Sequence, residues 1–134
     1  MFTTEQIKSI HSKVKSGADF PAYVQELKNT LGITHYDLVV KNGQGIYYGI
    51  DNFKLEGPPA YTDKQIANKG DVEQLRHIIK IHQQGQTDYL TFTRQAAEAG
   101  VEKWTTSIVR MEVIYYDTAG NEMLAEAIPD SKNY

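Results

Sequence analysis

The feature that most constrains this chain is a weak internal repeat. Glu5-Gln6-Ile7-Lys8 matches Glu73-Gln74-Leu75-Arg76, and later matches follow in the same order at residue numbers differing by 68. They are Gly32 with Gly100, Tyr36 with Trp104, and Ile46-Tyr47-Tyr48 with Ile114-Tyr115-Tyr116. Because the matches fall at caps, glycines and aromatic residues, they predict two diverged copies of one unit. The copies span about residues 1–57 and 71–134, with a connector over 58–70.

Each copy is predicted to begin with two helices. Thr3 and Asp71 are favourable N-cap residues, and a glutamine three positions after each could complete a capping box. Apolar side chains at helical spacing follow both. Asp19 and Asp88 are predicted to begin the second helices. Glycines at the expected ends favour left-handed C-terminal caps: Gly17, Gly32, Gly85 and Gly100.

A meander of short strands is predicted after each pair of helices, because the apolar spacing becomes alternating and β-formers predominate. The predicted strands are 36–40, 46–48, 53–55, 104–109, 113–116 and 123–128. The adjacent tyrosines Tyr47-Tyr48 and Tyr115-Tyr116 must each place one ring on either side of a sheet. One unit alone would have a thin core. The predicted fold is therefore a single two-layer α+β domain over 1–134, in which both meanders share a sheet or pack across a pseudo-twofold.

Composition excludes several classes of function. The 134-residue chain has a formal charge of -3 and no cysteine. A net negative chain is not expected to bind nucleic acid, and the absence of cysteine excludes disulfides, thiolate nucleophiles and cysteine-ligated metals. No signal peptide and no long apolar stretch is apparent, so no membrane contact is expected and the predicted location is the cytoplasm. No cofactor-binding sequence is present, and Glu122, Glu126 and Asp130 are predicted to be solvated.

A family resemblance covers nearly the whole chain. It rests on His82 to Tyr89, Ala99 to Trp104, Tyr115-Tyr116-Asp117 and Lys15 to Phe20. These segments resemble a family of small uncharacterised bacterial proteins, the YbcV- and YdfO-like proteins, some of which carry the label phage envelope protein. The resemblance implies a two-layer α+β fold and a prophage origin, and it implies no reaction. Family members tend to carry cysteine in the helix after Asp88, where this chain has Thr93 and Ala96, so no thiol role transfers.

The candidate ligand-binding residues cluster in the most family-like segment. His82, Asp88 and Arg94 are predicted to face one cleft and bind a small anionic ligand. The alternative for His82 is a charged imidazole that interacts with the helix C-terminus. Trp104 and Tyr116 complete the candidate set. Trp104 is the aromatic residue that breaks the repeat, and Tyr116 belongs to a tyrosine pair of which one member is expected to be exposed. No metal site is predicted, because His77 and His82 lie about 140° apart around a helix.

Three functions remain open at this point. The leading prediction is a small binding domain that engages a protein or a small ligand through an aromatic sheet face or the cleft between copies, with a homodimer as one possible assembly. The second is an enzyme acting on a small anionic metabolite, which would need titratable groups with shifted pKa values to converge in a pocket. The third is a phage structural protein, based only on the family label.

Overall fold

The computed structural model describes residues 2–14 and 19–128. In that part of the chain two helices precede three strands, and the same order then repeats. The first half contains α1 (Thr4–His11), α2 (Phe20–Leu31), β1 (Ile33–Val39), β2 (Gln44–Gly49) and β3 (Lys54–Glu56). The second half contains α3 (Val72–Gln83), α4 (Tyr89–Glu98), β4 (Val101–Ser107), β5 (Glu112–Asp117) and β6 (Glu122–Ala127).

The strands form one six-stranded antiparallel sheet in the order β3-β2-β1-β4-β5-β6. Each half contributes a meander, and the two meanders join through β1 and β4. Burial alternates along the central strands, so Tyr36, Leu38, Trp104 and Thr106 face the helices while their neighbours face the other side. The predicted α+β fold with a shared sheet is confirmed.

The β1–β4 register centres on one pair of residues. Asp37 lies opposite Thr105, and Tyr36 and Leu38 lie opposite Thr106 and Trp104. The Thr105 hydroxyl donates a hydrogen bond to Asp37 Oδ1 at 2.6 Å, across 68 residues of chain. Because 68 is also the offset of the sequence matches, each half meets the other at corresponding positions.

The helix starts follow the predicted capping. Thr3 forms a full capping box with Gln6, whose backbone N–H donates to Thr3 Oγ1 at 3.2 Å. The Asp71 carboxylate accepts from the backbone N–H of Gln74 at 3.0 Å, and Asp88 accepts from the N–H of Thr91 at 2.8 Å. At the helix ends Gly32, Gly85 and Gly100 have positive φ as expected. Gly17 and the predicted strand terminator Pro129 lie outside the described residues.

The connector between the halves has no helix or strand but is tied to both. The backbone N–H of Ala60 donates to Asn42 O at 2.8 Å, and the Tyr61 hydroxyl donates to Val40 O at 2.6 Å. Farther along, the backbone N–H of Asp71 donates to Ala99 O at 2.8 Å. The first two bonds hold the start of the connector against the β1–β2 hairpin, and the third holds its far end against the end of α4.

Two glycines with similar backbone angles differ in their surroundings, and this predicts different costs of substitution. Gly100 has φ +85°, and a Cβ there would lie 2.5 Å from Lys69 O, whereas Gly120 has φ +83° with nothing within 4 Å. We expect Gly120→Ala to destabilise the protein by about 1 kcal/mol from the left-handed backbone alone. Gly100→Ala should cost about 1–3 kcal/mol more, because the connector backbone must also move. Urea unfolding of both variants measures the difference, and equal costs would show that the connector yields freely.

Candidate functional site

A cavity of about 560 Å³ lies between the helices and the sheet. Residues from all four helices line it, and so do residues from the inner face of the sheet and the start of the connector. Those from the sheet include Tyr36, Tyr47, Trp104 and Tyr115. The volume falls within the range of pockets that hold drug-sized molecules.

Strand alternation explains the aromatic floor of this cavity. Tyr36 pairs with Tyr47 across β1 and β2, and Trp104 pairs with Tyr115 across β4 and β5. The ring centroids of the two pairs lie 5.2 and 5.8 Å apart. Since neighbouring residues of a strand face opposite sides, the partner of each inner tyrosine lies on the outer face. The prediction that each adjacent tyrosine pair divides between the two faces is confirmed.

Polar aromatic residues of α1, α2 and α4 form one wall of the cavity. The imidazole of His11 lies edge-on to Tyr23, with ring centroids 5.4 Å apart, and edge-on to Tyr89 of α4 at 5.9 Å. Tyr23 is 7% exposed, whereas His11 keeps substantial exposure and lies toward the outside. Burial lowers the pKa of His11, which favours the neutral imidazole.

Burial also holds the phenols of the wall and of the floor in the protonated form. It raises the pKa of Tyr23, and the neighbouring hydroxyls of Tyr36 and Tyr47 raise it further. Burial likewise raises the pKa of Tyr36, Tyr47 and Tyr89. At neutral pH the phenols of the floor and the wall are therefore uncharged, and each hydroxyl can donate and accept a hydrogen bond.

His82 lines the cavity from the end of α3. Its ring stacks on Phe92, with centroids 4.5 Å apart, and its Nδ1 lies 3.1 Å from Thr87 O. Burial lowers its pKa, although the contact with Thr87 and the charge of Asp88 act in the opposite direction. This differs from the charged helix-capping role considered from the sequence, because burial favours the neutral ring.

The other candidate residues are distributed around the fold. Trp104 is 6% exposed on the inner face and lines the cavity. Asp88 caps α4 on the surface, and Arg94 forms a surface ion pair with Glu98 at 3.5 Å. Tyr116 lies on the outer face beneath the Lys103 ammonium, 5.4 Å from the ring centroid. The structure thus brings His82 and Trp104 to the cavity and places Asp88, Arg94 and Tyr116 away from its lining.

Several lining residues were not among the sequence candidates. Tyr23, Tyr47 and Tyr89 each occupy an inward position of a helix or strand, which was the signal that could have found them. Glu126 was predicted to be solvated, but its strand register places it opposite Val113 on the inner face, and it lines the cavity. Glu122 is exposed as predicted, and Asp130 lies outside the described residues.

The described residues contain neither a metal-binding cluster nor a helix able to span a membrane. Within 2–14 and 19–128, no group of three or more His, Asp or Glu side chains is arranged to hold a metal ion. Among the helices of the same residues, none combines the length and apolar character needed to cross a membrane.

The lowered pKa of His82 predicts a pH dependence of stability. Its pKa in the folded protein lies below the unfolded value of 6.5, so the unfolded chain binds more protons as the pH falls below about 6.5. The free energy of unfolding should therefore decrease from pH 7.5 to pH 5.5. His82→Phe keeps a ring on Phe92 and removes the titration, so its urea midpoint should depend less on pH, with His11 supplying a remaining slope. An unchanged slope in this variant would contradict the assignment.

The chain was finally compared with known proteins. No curated protein matches it. A family model matches residues 8–127, a range that contains most of the residues lining the cavity. The chain belongs to the family described as "Protein of unknown function (DUF1398)".

Proposed function

We propose that this protein is a binding domain for a small molecule and that the cavity between the helices and the sheet is its site. The observation that carries the proposal is the space of about 560 Å³ itself, lined mainly by aromatic and aliphatic side chains with a few convergent polar groups. Folded domains normally fill their interiors at close to crystal density. A space of this size under a well-formed sheet is suited to a ligand.

The two faces of the sheet differ in how their aromatic rings are used. On the outer face His35 stacks on Tyr48 with centroids 4.3 Å apart, and Lys103 covers Tyr116. Those rings already have partners within the chain. On the inner face Tyr47 and Tyr115 also have ring partners, Tyr36 and Trp104, but they border open space as well. This contrast favours the cleft between the halves over the outer sheet face as the binding surface.

The phenols that line the cavity favour binding over acid–base catalysis. They converge as an enzyme would require, but a phenol with a raised pKa holds its proton through neutral pH. A group that titrates far from the working pH is a poor general base. Ligand recognition is the function that these groups support best.

His82 and Trp104 are the sequence candidates that this proposal retains as ligand contacts. Both line the cavity, and both touch Phe92, at centroid distances of 4.5 and 5.4 Å. Asp88 contributes indirectly, because its charge raises the pKa of His82 against the effect of burial. Arg94 and Tyr116 have no place in the proposed site.

The proposal includes an origin of the domain by internal duplication, with copies at about 1–57 and 71–134. Three pairs of residues with positive φ support it, since each pair differs by 68 in residue number: Gly32 with Gly100, Gly43 with Met111, and Asn52 with Gly120. Left-handed backbone is rare outside glycine, and two of these pairs, Gly43 with Met111 and Asn52 with Gly120, are not among the sequence matches and so support the duplication independently. A cavity at the junction of two copies would then be a shared site.

Three finer expectations from the sequence belong to the same proposal. They are kinship with the YbcV- and YdfO-like proteins, an origin in a bacterial prophage, and a cytoplasmic location. The supporting observation is the resemblance carried by segments such as His82 to Tyr89. Fractionation of an expressing bacterium would test the location, because recovery in the periplasm or membrane would contradict it.

Filling the cavity tests the proposed site. Val113 is 5% exposed on the inner face and lines the cavity, whereas the next residue, Ile114, faces outward. The neutral dye N-phenyl-1-naphthylamine should bind the natural protein with a rise in fluorescence. We expect Val113→Phe to weaken dye binding at least about tenfold, because a ring occupies the space, and Ile114→Phe to leave it unchanged.

The thermal unfolding midpoint of both variants is measured alongside. Val113→Phe should unfold at or near the temperature of the natural protein, since the added ring enters empty space. Equal dye binding by Val113→Phe and Ile114→Phe would overturn the cavity as the binding site.

A further inference from the structure

The cavity lining differs in chemistry between some positions that lie 68 or 69 residues apart in the chain. In these pairs one member is polar and the other apolar. Examples are His11 with Ile79 and Tyr23 with Phe92. The cavity is therefore built from matched positions but is chemically asymmetric.

The polar side is a connected group of rings with hydroxyl or imidazole groups. His11 contacts Tyr23 and Tyr89 edge-on, at centroid distances of 5.4 and 5.9 Å, and Tyr36 lies 5.2 Å from Tyr47. Besides burial, Tyr36, Tyr47 and Tyr89 raise the pKa of Tyr23. Tyr61, Tyr36 and Tyr47 act in the same direction on the pKa of Tyr89. Several donors and acceptors thus meet in one region.

The apolar side is a run of aromatic contacts. Phe92 meets Trp104 edge-on at 5.4 Å between centroids, and Trp104 is tilted against Tyr115 at 5.8 Å. Ile79 and Val113 border the same space. Flat aromatic and aliphatic surfaces of this kind favour a planar apolar ring, which gains both burial and edge or face contacts.

Charge is almost absent from the lining. Among the described residues that line the cavity, only Lys8 and Glu126 carry a full charge at neutral pH, and the two are of opposite sign. Lys8 is exposed to solvent on α1. An anionic ligand would lose its hydration in the interior and meet the Glu126 carboxylate, with only the exposed Lys8 to offset its charge, which is costly.

We infer that the cavity selects an uncharged planar aromatic molecule that carries a hydroxyl or carbonyl group. The aromatic ring lies against Phe92 and Trp104, and the polar group lies toward the hydroxyls of Tyr23 and Tyr89. This rests on the proposed function, and it replaces the anionic ligand considered from the sequence. His82, whose ring stacks on Phe92 with centroids 4.5 Å apart, helps to hold that ring in place.

Three probes with one ring system test the selectivity: naphthalene, 2-naphthol and 2-naphthoate at pH 7. Each is used to displace N-phenyl-1-naphthylamine from the full chain, and the displacement gives relative dissociation constants. A net hydrogen bond contributes about 0.5–1.5 kcal/mol, so 2-naphthol should bind roughly three- to tenfold more tightly than naphthalene. The 2-naphthoate anion should bind more weakly than both.

Removing the hydroxyls tests which residues produce the preference. The double variant Tyr23→Phe/Tyr89→Phe keeps both rings, so naphthalene should bind as before while the advantage of 2-naphthol falls to about onefold. Tyr48→Phe is the matched control, because Tyr48 lies on the outer face against His35. It should leave all three dissociation constants unchanged. The probe series on the natural protein gives a result even if the double variant does not fold.

The possible outcomes separate this inference from the proposed function. Equal binding of naphthalene and 2-naphthol by the natural protein would overturn the selectivity while leaving a cavity that binds apolar molecules. Tightest binding by 2-naphthoate would overturn the uncharged class. No binding of the dye or of any probe would overturn the proposed function itself.

Discussion

The antiparallel pairing of β1 with β4 is the interaction on which the rest of the structure depends. Each meander alone has three strands and two short helices, too little to bury a substantial core. Pairing β1 with β4 makes one sheet and brings both pairs of helices to the same face. The cavity lies over this junction, with its floor drawn from both sides. Without the pairing there would be no shared sheet and no enclosed space.

The inner face of the sheet has side chains that are large, rigid and partly polar. Rings at centroid spacings of 5.2 to 5.8 Å cover the strands, and Phe92 of α4 packs edge-on against Trp104. Burying a phenol is also costly unless its hydroxyl has a partner. A core of leucine and phenylalanine would fill the same space at lower cost. Hydroxyls that border an open volume can in addition reach a bound molecule.

Much of the architecture could be predicted from local signals. The capping residues Thr3 and Asp88, the glycine at position 32 and the alternation in Tyr47-Tyr48 each depend on neighbours a few residues away, and the structure agrees with all of them. Fold class followed from the same signals. The internal matches also led to the expectation that both meanders would share a sheet or pack across a pseudo-twofold, and the two meanders do share one sheet.

The candidate site was harder to predict, because it depends on contacts between distant segments. The polar residues near His82 have separate roles in the structure. Asp88 caps α4, Arg94 forms a surface ion pair, and His82 lines the cavity. The inward tyrosines were visible as core positions, but the sequence contains no sign that space would remain between them. Glu126 was misplaced because a bulge in the β5–β6 pairing, between Tyr115 and Tyr116, sets which side of β6 faces inward.

The long separation along the chain between β1 and β4 has a kinetic consequence. Asp37 and Thr105 are joined across 68 residues, and closing a loop of that length costs about 4 kcal/mol of chain entropy. The hairpins within each half close far shorter loops, so they can form before the two halves meet. Folding of this chain is therefore an internal association, in which two half-domains tethered by residues 58–70 dock at a high local concentration.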